Sequence, residues 1–182
     1  MPGRFLVVLF IGLVGFDQPK LVKTKVADGI TVSLPAGWKP MDELDFNERY
    51  RSVRAPLAAY TNEERTVDFS VNISATQWPD GNIEVARSFF KSSLKNMFDR
   101  VEMLSEGVHE VRGKKFAYFE FESRVNGNPA KEGQRDPILK YTYQQYLVEK
   151  ERTLVFSFNC YRRERETWQP VAKAVMKSVR VK

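Results

Sequence analysis

One histidine and one cysteine are all that this 182-residue chain has of the two residue types that do most metal and nucleophilic chemistry. A metal site built from several His or Cys ligands is therefore excluded, and so is an intramolecular disulfide. Any catalytic triad would have to use His109, and any thiol chemistry Cys160. The sequence also has no P-loop, GxGxxG, GxSxG or HExxH motif, so the common signatures of nucleotide sites, serine hydrolases and zinc proteases are missing. No metal or cofactor is expected. Long apolar runs are missing too: Phe5 to Phe16 has twelve residues. As a helix it spans roughly 18 Å, short of the ~30 Å hydrocarbon core.

That run has instead the layout of a secretory signal peptide. Arg4 precedes it and the polar stretch Asp17-Gln18-Pro19-Lys20 follows. The expected division is a leader over 1–16 and a single domain over 21–182, exported to a periplasmic or extracellular compartment, with no membrane span after the leader is removed. If Met1–Gly15 is not a leader, the chain is cytoplasmic. Leu13-Val14-Gly15 offers a small residue at only one of the two usual cleavage positions. No cysteine follows the apolar run, so acylation is not expected. Cys160 lies late in an apolar strand and reads as a small buried hydrophobe.

What the chain does have is enough apolar material for a core: 42% hydrophobic and 13% aromatic residues. Its 29 basic and 23 acidic residues give a net charge of +6. The stretch from Val148 to Lys182 supplies most of the excess, with nine basic side chains against four acidic ones. Such a balance permits weak attraction to anionic surfaces without specifying one, and no nucleic-acid partner is expected.

The pattern is that of an α+β protein: a central antiparallel β-sheet of about six to eight strands flanked by helices, an α/β/α sandwich. Its organising hairpin is Tyr141–Glu149 with Arg152–Tyr161. Leu154, Phe156 and Phe158 alternate there with Val155, Ser157 and Asn159, while Tyr141, Tyr143 and Leu147 share a face interrupted by Gln145. Further strands are expected at Leu21–Ala27, from Ile30 to Leu34, at Leu57–Asn62, Arg65–Ser74, Val101–Arg112 and Lys115–Val125. Trp38, after the break at Pro35-Ala36-Gly37, is expected to close one end of the core. Met41–Arg51 has room for one or two helical turns. Ile83, Ala86, Phe90, Leu94 and Met97 recur at helical spacing, which predicts a helix over Ile83–Phe98 packed on a sheet that carries Phe69 and Phe156. Thr167 is expected to cap a last helix, with Pro170 in its first turn.

Few residues carry chemistry. His109 reads as an ordinary strand histidine. Glu120 and Glu122, two apart, have the spacing of a solvated strand face rather than of a tuned acid–base pair. The densest charge cluster is Arg162-Arg163-Glu164-Arg165. Its interleaved Glu164 and Glu166 suggest a self-neutralised surface. Arg162, Arg163 and Arg165 are still the best partner-binding candidates, with Lys131 and Arg135 from the turn-rich loop Asn126–Asp136.

The element order and three local features resemble the PsbP-like superfamily, which includes PsbP and the DcrB-like and LpqN-like bacterial envelope proteins. The features are Ile30-Thr31-Val32-Ser33-Leu34-Pro35-Ala36-Gly37-Trp38, the aromatic strand Leu154–Phe158, and the closing helix that ends at Ser178-Val179. The resemblance covers Val26 to Val181 and implies a central antiparallel sheet and a non-enzymatic role, without saying which. The expected function is that of an exported envelope protein that binds or helps assemble a protein partner. The alternatives are a cytoplasmic chaperone or adaptor for hydrophobic segments of secreted proteins, and an uncharacterised enzyme.

Overall fold

A computed structural model describes residues 18–49, 55–78, 81–127 and 136–182. The leader expected at 1–16 and the candidates Lys131 and Arg135 lie outside the described residues. In chain order the strands are β1 (Leu21–Ala27), β2 (Ile30–Pro35), β3 (Lys39–Pro40), β4 (Ala58–Thr61), β5 (Val67–Ile73), β6 (Arg100–Val111), β7 (Lys114–Val125), β8 (Ile138–Val148), β9 (Thr153–Tyr161) and β10 (Arg180–Val181). The helices are α1 (Glu43–Arg49), α2 (Ile83–Met97) and α3 (Arg165–Lys177).

The hairpin β8–β9 forms the middle of a seven-stranded antiparallel sheet in the order β3-β4-β5-β9-β8-β7-β6. Strands β1, β2 and β10 form a separate three-stranded sheet. That is a correction: β1 and β2 were expected to extend the central sheet. They pair with each other and with the chain end instead, and pack face-on. Ile30, Val32 and Leu34 of β2 share one core with Phe69, Phe156 and Phe158 of the large sheet. The second flanking layer is thus made by α3 and the small sheet together, rather than by helices alone.

The period-2 alternation gives the large sheet two unlike faces. Phe69, Phe116, Tyr141, Leu154, Phe156 and Phe158 point to the face covered by Val171, Ala172, Val175 and Met176 of α3. Trp38 closes this core as expected, with its ring centroid 5.6 Å from Phe158 and 5.9 Å from Trp168. The opposite face of β7 carries Ala117, Phe119 and Phe121, and these take Ala86, Phe90 and Leu94 of α2. Helix α2 therefore packs on the reverse of the face that carries Phe69 and Phe156. It begins where Asn82 accepts a hydrogen bond from the Val85 amide at 3.2 Å. Phe90 lies flat on Tyr146, with centroids 3.9 Å apart.

The start of α3 also departs from expectation. Thr167 does not cap it. A single 3-10 turn over Arg162–Glu164 runs straight into the helix, with no side-chain cap. Pro170 consequently sits in the second turn, where its missing N–H leaves the Glu166 carbonyl without a helical donor. Both residues are exposed, so water can serve that carbonyl.

Candidate partner-binding site

The side of β7 that faces α3 carries Tyr118, Glu120 and Glu122. Neither glutamate is on a solvated face, contrary to the reading of their spacing. Glu120 is 2% exposed. It accepts from the Tyr141 hydroxyl at 2.9 Å and from the Gln169 amide, and Lys173 Nζ lies 3.4 Å away. Glu122 holds Arg165 at 2.6 Å and Arg162 at 3.8 Å. Two residues that alternate with aromatics on an exposed strand give the same pattern as two that lie beneath a helix. Only the placement of α3 across β7 separates the cases. Burial, followed by the neighbouring Glu120 charge, pushes the Tyr141 phenol well above its usual range.

The two residues with catalytic potential are not brought together. His109 lies on edge strand β6 opposite Phe116, while Cys160 is on β9 beside Val67, with β7 and β8 between them. The Cys160 thiol is buried, and burial pushes it up to about 12. It is a packed hydrophobe, as read from the sequence. His109 stacks on Tyr118 at 4.7 Å, and Tyr118 stacks in turn on Tyr143 at 5.9 Å. Gly107 makes room for this ladder: a Cβ there would approach the Tyr118 ring to 3.1 Å. The ring nitrogen Nε2 of His109 lies 3.1 Å from Gln145 Oε1, and Gln145 donates to the Met176 carbonyl at 3.2 Å. The glutamine that interrupts the β8 apolar face is therefore bonded at both its oxygen and its nitrogen.

Burial holds the His109 imidazole below its ordinary value; the Gln145 bond opposes the shift and Lys177 adds to it. A lowered value in the folded state means that the unfolded chain takes up the proton first. The associated stability is complete above the unfolded value of about 6.5 and is lost as pH falls through the folded one. Urea unfolding at pH about 7.5 and about 5 checks this, because His109→Gln should show a smaller acid loss than wild type.

The arginines gather at the other end of the sheet. Arg165 and Arg162 are tied down by Glu122, not by the interleaved glutamates. Arg163 is 3.8 Å from Glu164 but keeps 78% of its side chain exposed, with its guanidinium 5.1 Å from the Tyr161 ring centre. Two further arginines join them. Arg100 and Arg124 stand directly opposite each other across β6 and β7, both exposed. Neither has a carboxylate partner among the described residues, and like charges in this register repel. The pairing was not legible beforehand because it depends on a bulge between Met103 and Ser105. In a regular ladder, with Leu104 paired to Phe121, Arg100 would face Val125.

Between these cations lies apolar surface. Val125 pairs with Ile138, and both are exposed, as is Tyr161 on the neighbouring β9. A hollow of about 700 Å³ is lined by Pro137, Ile138, Leu139, Tyr161, Arg162 and Arg163, with the carboxylate of Asp136 at its edge. A smaller recess of about 160 Å³, lined by Arg100 and Arg124 among others, shares Leu139 and Arg162 with it. The resulting patch has an aliphatic and tyrosine centre and guanidinium edges. Tyr and Arg are the residue types most enriched among energetically dominant interface positions.

No family model matches the chain, and no curated protein matches it. Solved structures do. The solution structure of cyanobacterial PsbP from Synechocystis sp. PCC 6803 matches with a TM-score of 0.61 at 13% identity, covering 99% of this chain and 100% of that one. The Saccharomyces cerevisiae Ran-binding protein Mog1p matches with a TM-score of 0.55 at 13% identity, covering 90% of this chain and 96% of that one. LpqN of Mycobacterium tuberculosis, described as involved in cell envelope biogenesis, matches with a TM-score of 0.52 at 13% identity, over 88% and 91%. At such identities the likeness is one of fold, and it extends over nearly the whole of each chain. The seven-stranded sheet, its two unlike faces and these matches together identify an α+β chain with the PsbP-like fold.

Proposed function

We propose that this protein is a non-enzymatic binding protein of the cell envelope, exported by a leader over 1–16, whose single domain over 21–182 docks a protein partner. The observation that carries the reading is the patch formed by Val125, Ile138 and Tyr161 within a ring of Arg100, Arg124, Arg162 and Arg163. Apolar surface gives such a patch its affinity, and the guanidiniums of Arg100 and Arg124, which have no carboxylate partner among the described residues, select a partner segment that carries carboxylates. The same-fold neighbours include one protein described as Ran-binding and one described as involved in envelope biogenesis, which favours a binding role over catalysis. The packing of Cys160 and the engagement of His109 favour it as well.

The test begins with the partner captured by cross-linking in the native organism, whose affinity is then measured with purified protein. Arg124→Glu combined with Arg163→Glu should weaken binding at least about tenfold, and the difference should shrink with added salt. These two positions make a cleaner test than Arg162 or Arg165, whose reversal also strands Glu122. The double variant His109→Gln, Cys160→Ser should bind as wild type does. Equal affinity in the charge-reversed protein, or lost function in a folded His109/Cys160 variant, would defeat this reading. The compartment is tested separately by the N-terminal sequence of the mature protein, where a start near Phe16 marks export and an intact Met1 marks a cytoplasmic adaptor.

A further inference from the structure

Helix α2 covers β6 and β7 and reaches Tyr146 of β8, but among the described residues no helix covers the rest of that face toward β9 and β5. The open part is unusual for central strands. Its side chains form three rows directly across β5, β9 and β8: Asp68–Asn159–Thr142, Ser70–Ser157–Gln144 and Asn72–Val155–Tyr146. Eight of these nine side chains are polar or carry a hydroxyl, on the three strands at the middle of the sheet. Beside them stands an apolar wall of Phe89 and Met97 from α2, both exposed, with Phe98 just beyond the helix end. Floor and wall enclose a cleft of about 650 Å³. That volume lies inside the range of ~300–1,000 Å³ typical of small-molecule sites.

The floor is held in place by its own hydrogen bonds. Thr142 donates to Asn159 at 2.9 Å, and Asn159 to Asp68 at 2.8 Å. Gln144 donates to Ser157 at 2.8 Å and accepts from the Tyr146 hydroxyl at 2.9 Å. Asn72 donates to Ser70 at 3.2 Å. Each carboxamide uses one of its two N–H groups in these bonds, so among the described residues Asn72, Gln144 and Asn159 each keep a second donor, and Asn72 also keeps its carbonyl. All three are half-buried, so they reach into the cleft rather than out to bulk water.

We infer that this cleft binds a neutral, hydroxyl-rich ligand of the saccharide class. The chemistry of the floor selects it. A hydrocarbon tail would face three carboxamides and strand their spare donors, at about 1–3 kcal/mol for each one left unsatisfied. An extended peptide recognised through its backbone needs a free strand edge, and β8 and β9 are paired on both sides. The cleft is lined by one cation, Lys140, and one carboxylate, Asp68, so its lining has no excess charge to select an ionic ligand. Sugar hydroxyls donate and accept at once, as the spare carboxamide groups require. The C–H face of a sugar ring suits an exposed aromatic such as Phe89. This site is on the opposite side of the sheet from the Glu120–α3 layer and is independent of the docking patch.

The probes are a panel of neutral mono- to tetrasaccharides, including the maltose, cellobiose and chitobiose series. They are titrated into the full chain and followed by amide chemical shifts. Binding of at least one member at millimolar concentration or below is expected, with shifts centred on 70–73, 142–146 and 155–159. Asn72→Ala and Phe89→Leu should each weaken it roughly three- to tenfold, with thermal unfolding confirming that both fold. Arg124→Glu with Arg163→Glu should leave sugar binding unchanged, so loss of partner docking and loss of sugar binding read separately. Absence of binding across the panel overturns the inference. So does binding that ignores both cleft variants, or a fatty acid that occupies the cleft where every sugar fails.

Discussion

Phe90→Ala should lower the stability of the folded domain by about 3–5 kcal/mol. Phe90 is 4% exposed and is the only side chain of α2 that stacks flat on the sheet, against Tyr146. It also meets Trp78 and Phe89 edge-on, at 6.2 and 5.5 Å. Truncation removes the ring from all three partners and opens a hollow beneath a helix whose other buried anchors are Ala86 and Leu94. Alanine at 86 fills little space, so Leu94 alone would hold the helix down. The loss should appear as a fall in the thermal midpoint of roughly 10 °C, from about 2–4 °C per kcal/mol for a chain of this size. A fall of only a degree or two would mean that α2 is held mainly by its polar contacts, Arg87 and Lys91 to Glu106.

Removal of the Glu120 carboxylate should cost about 3 kcal/mol. Glu120→Ala strands the Tyr141 hydroxyl, whose residue is fully buried, together with the amide of Gln169. Tyr141→Phe removes one donor but leaves the carboxylate with Gln169 and Lys173, so its cost should be nearer 1 kcal/mol. In the double variant the tyrosine penalty disappears, and its cost should be less than the sum of the two single costs. Urea titrations of the four proteins measure this. Strict additivity would mean that water already serves the phenol in the wild type.

Much of the sheet could be read directly, because alternation reports faces faithfully. Strands β1, β5, β7 and β9 lie within a residue or two of their expected bounds, and the division of β7 into Phe116 and Tyr118 against Phe119 and Phe121 is observed. Alternation does not say what lies on each face. Glu120 and Glu122 therefore read as solvated, and the open polar floor of β5, β9 and β8 read only as the outer side of strands. Two-residue strands such as β3 and β10 leave no period to detect. The site was half legible. Arg162 and Arg163 stand out as a local cluster, whereas Arg100 and Arg124 join them through a bulge that no composition reveals. Thr167 matched a cap residue, but the helix starts at Arg165, three residues earlier than that cap would place it, and the Arg165 guanidinium is held by Glu122.

The pairing of β5 with β9 has a kinetic consequence. Val67 meets Cys160 and Ile73 meets Leu154, so the seam joining the two halves of the large sheet closes a loop of more than eighty residues. During synthesis β4–β5 can form a hairpin and β6–β8 a meander, yet each has an unpaired edge until β9 is available near the end of the chain. Contacts of such sequence separation are slow to form, because the entropy of loop closure is lost before their energy is gained. A chain whose central strand arrives so late stays incompletely folded for most of its translation. That delay leaves the edges of β5 and β8 open to wrong pairing whenever β9 is late or missing.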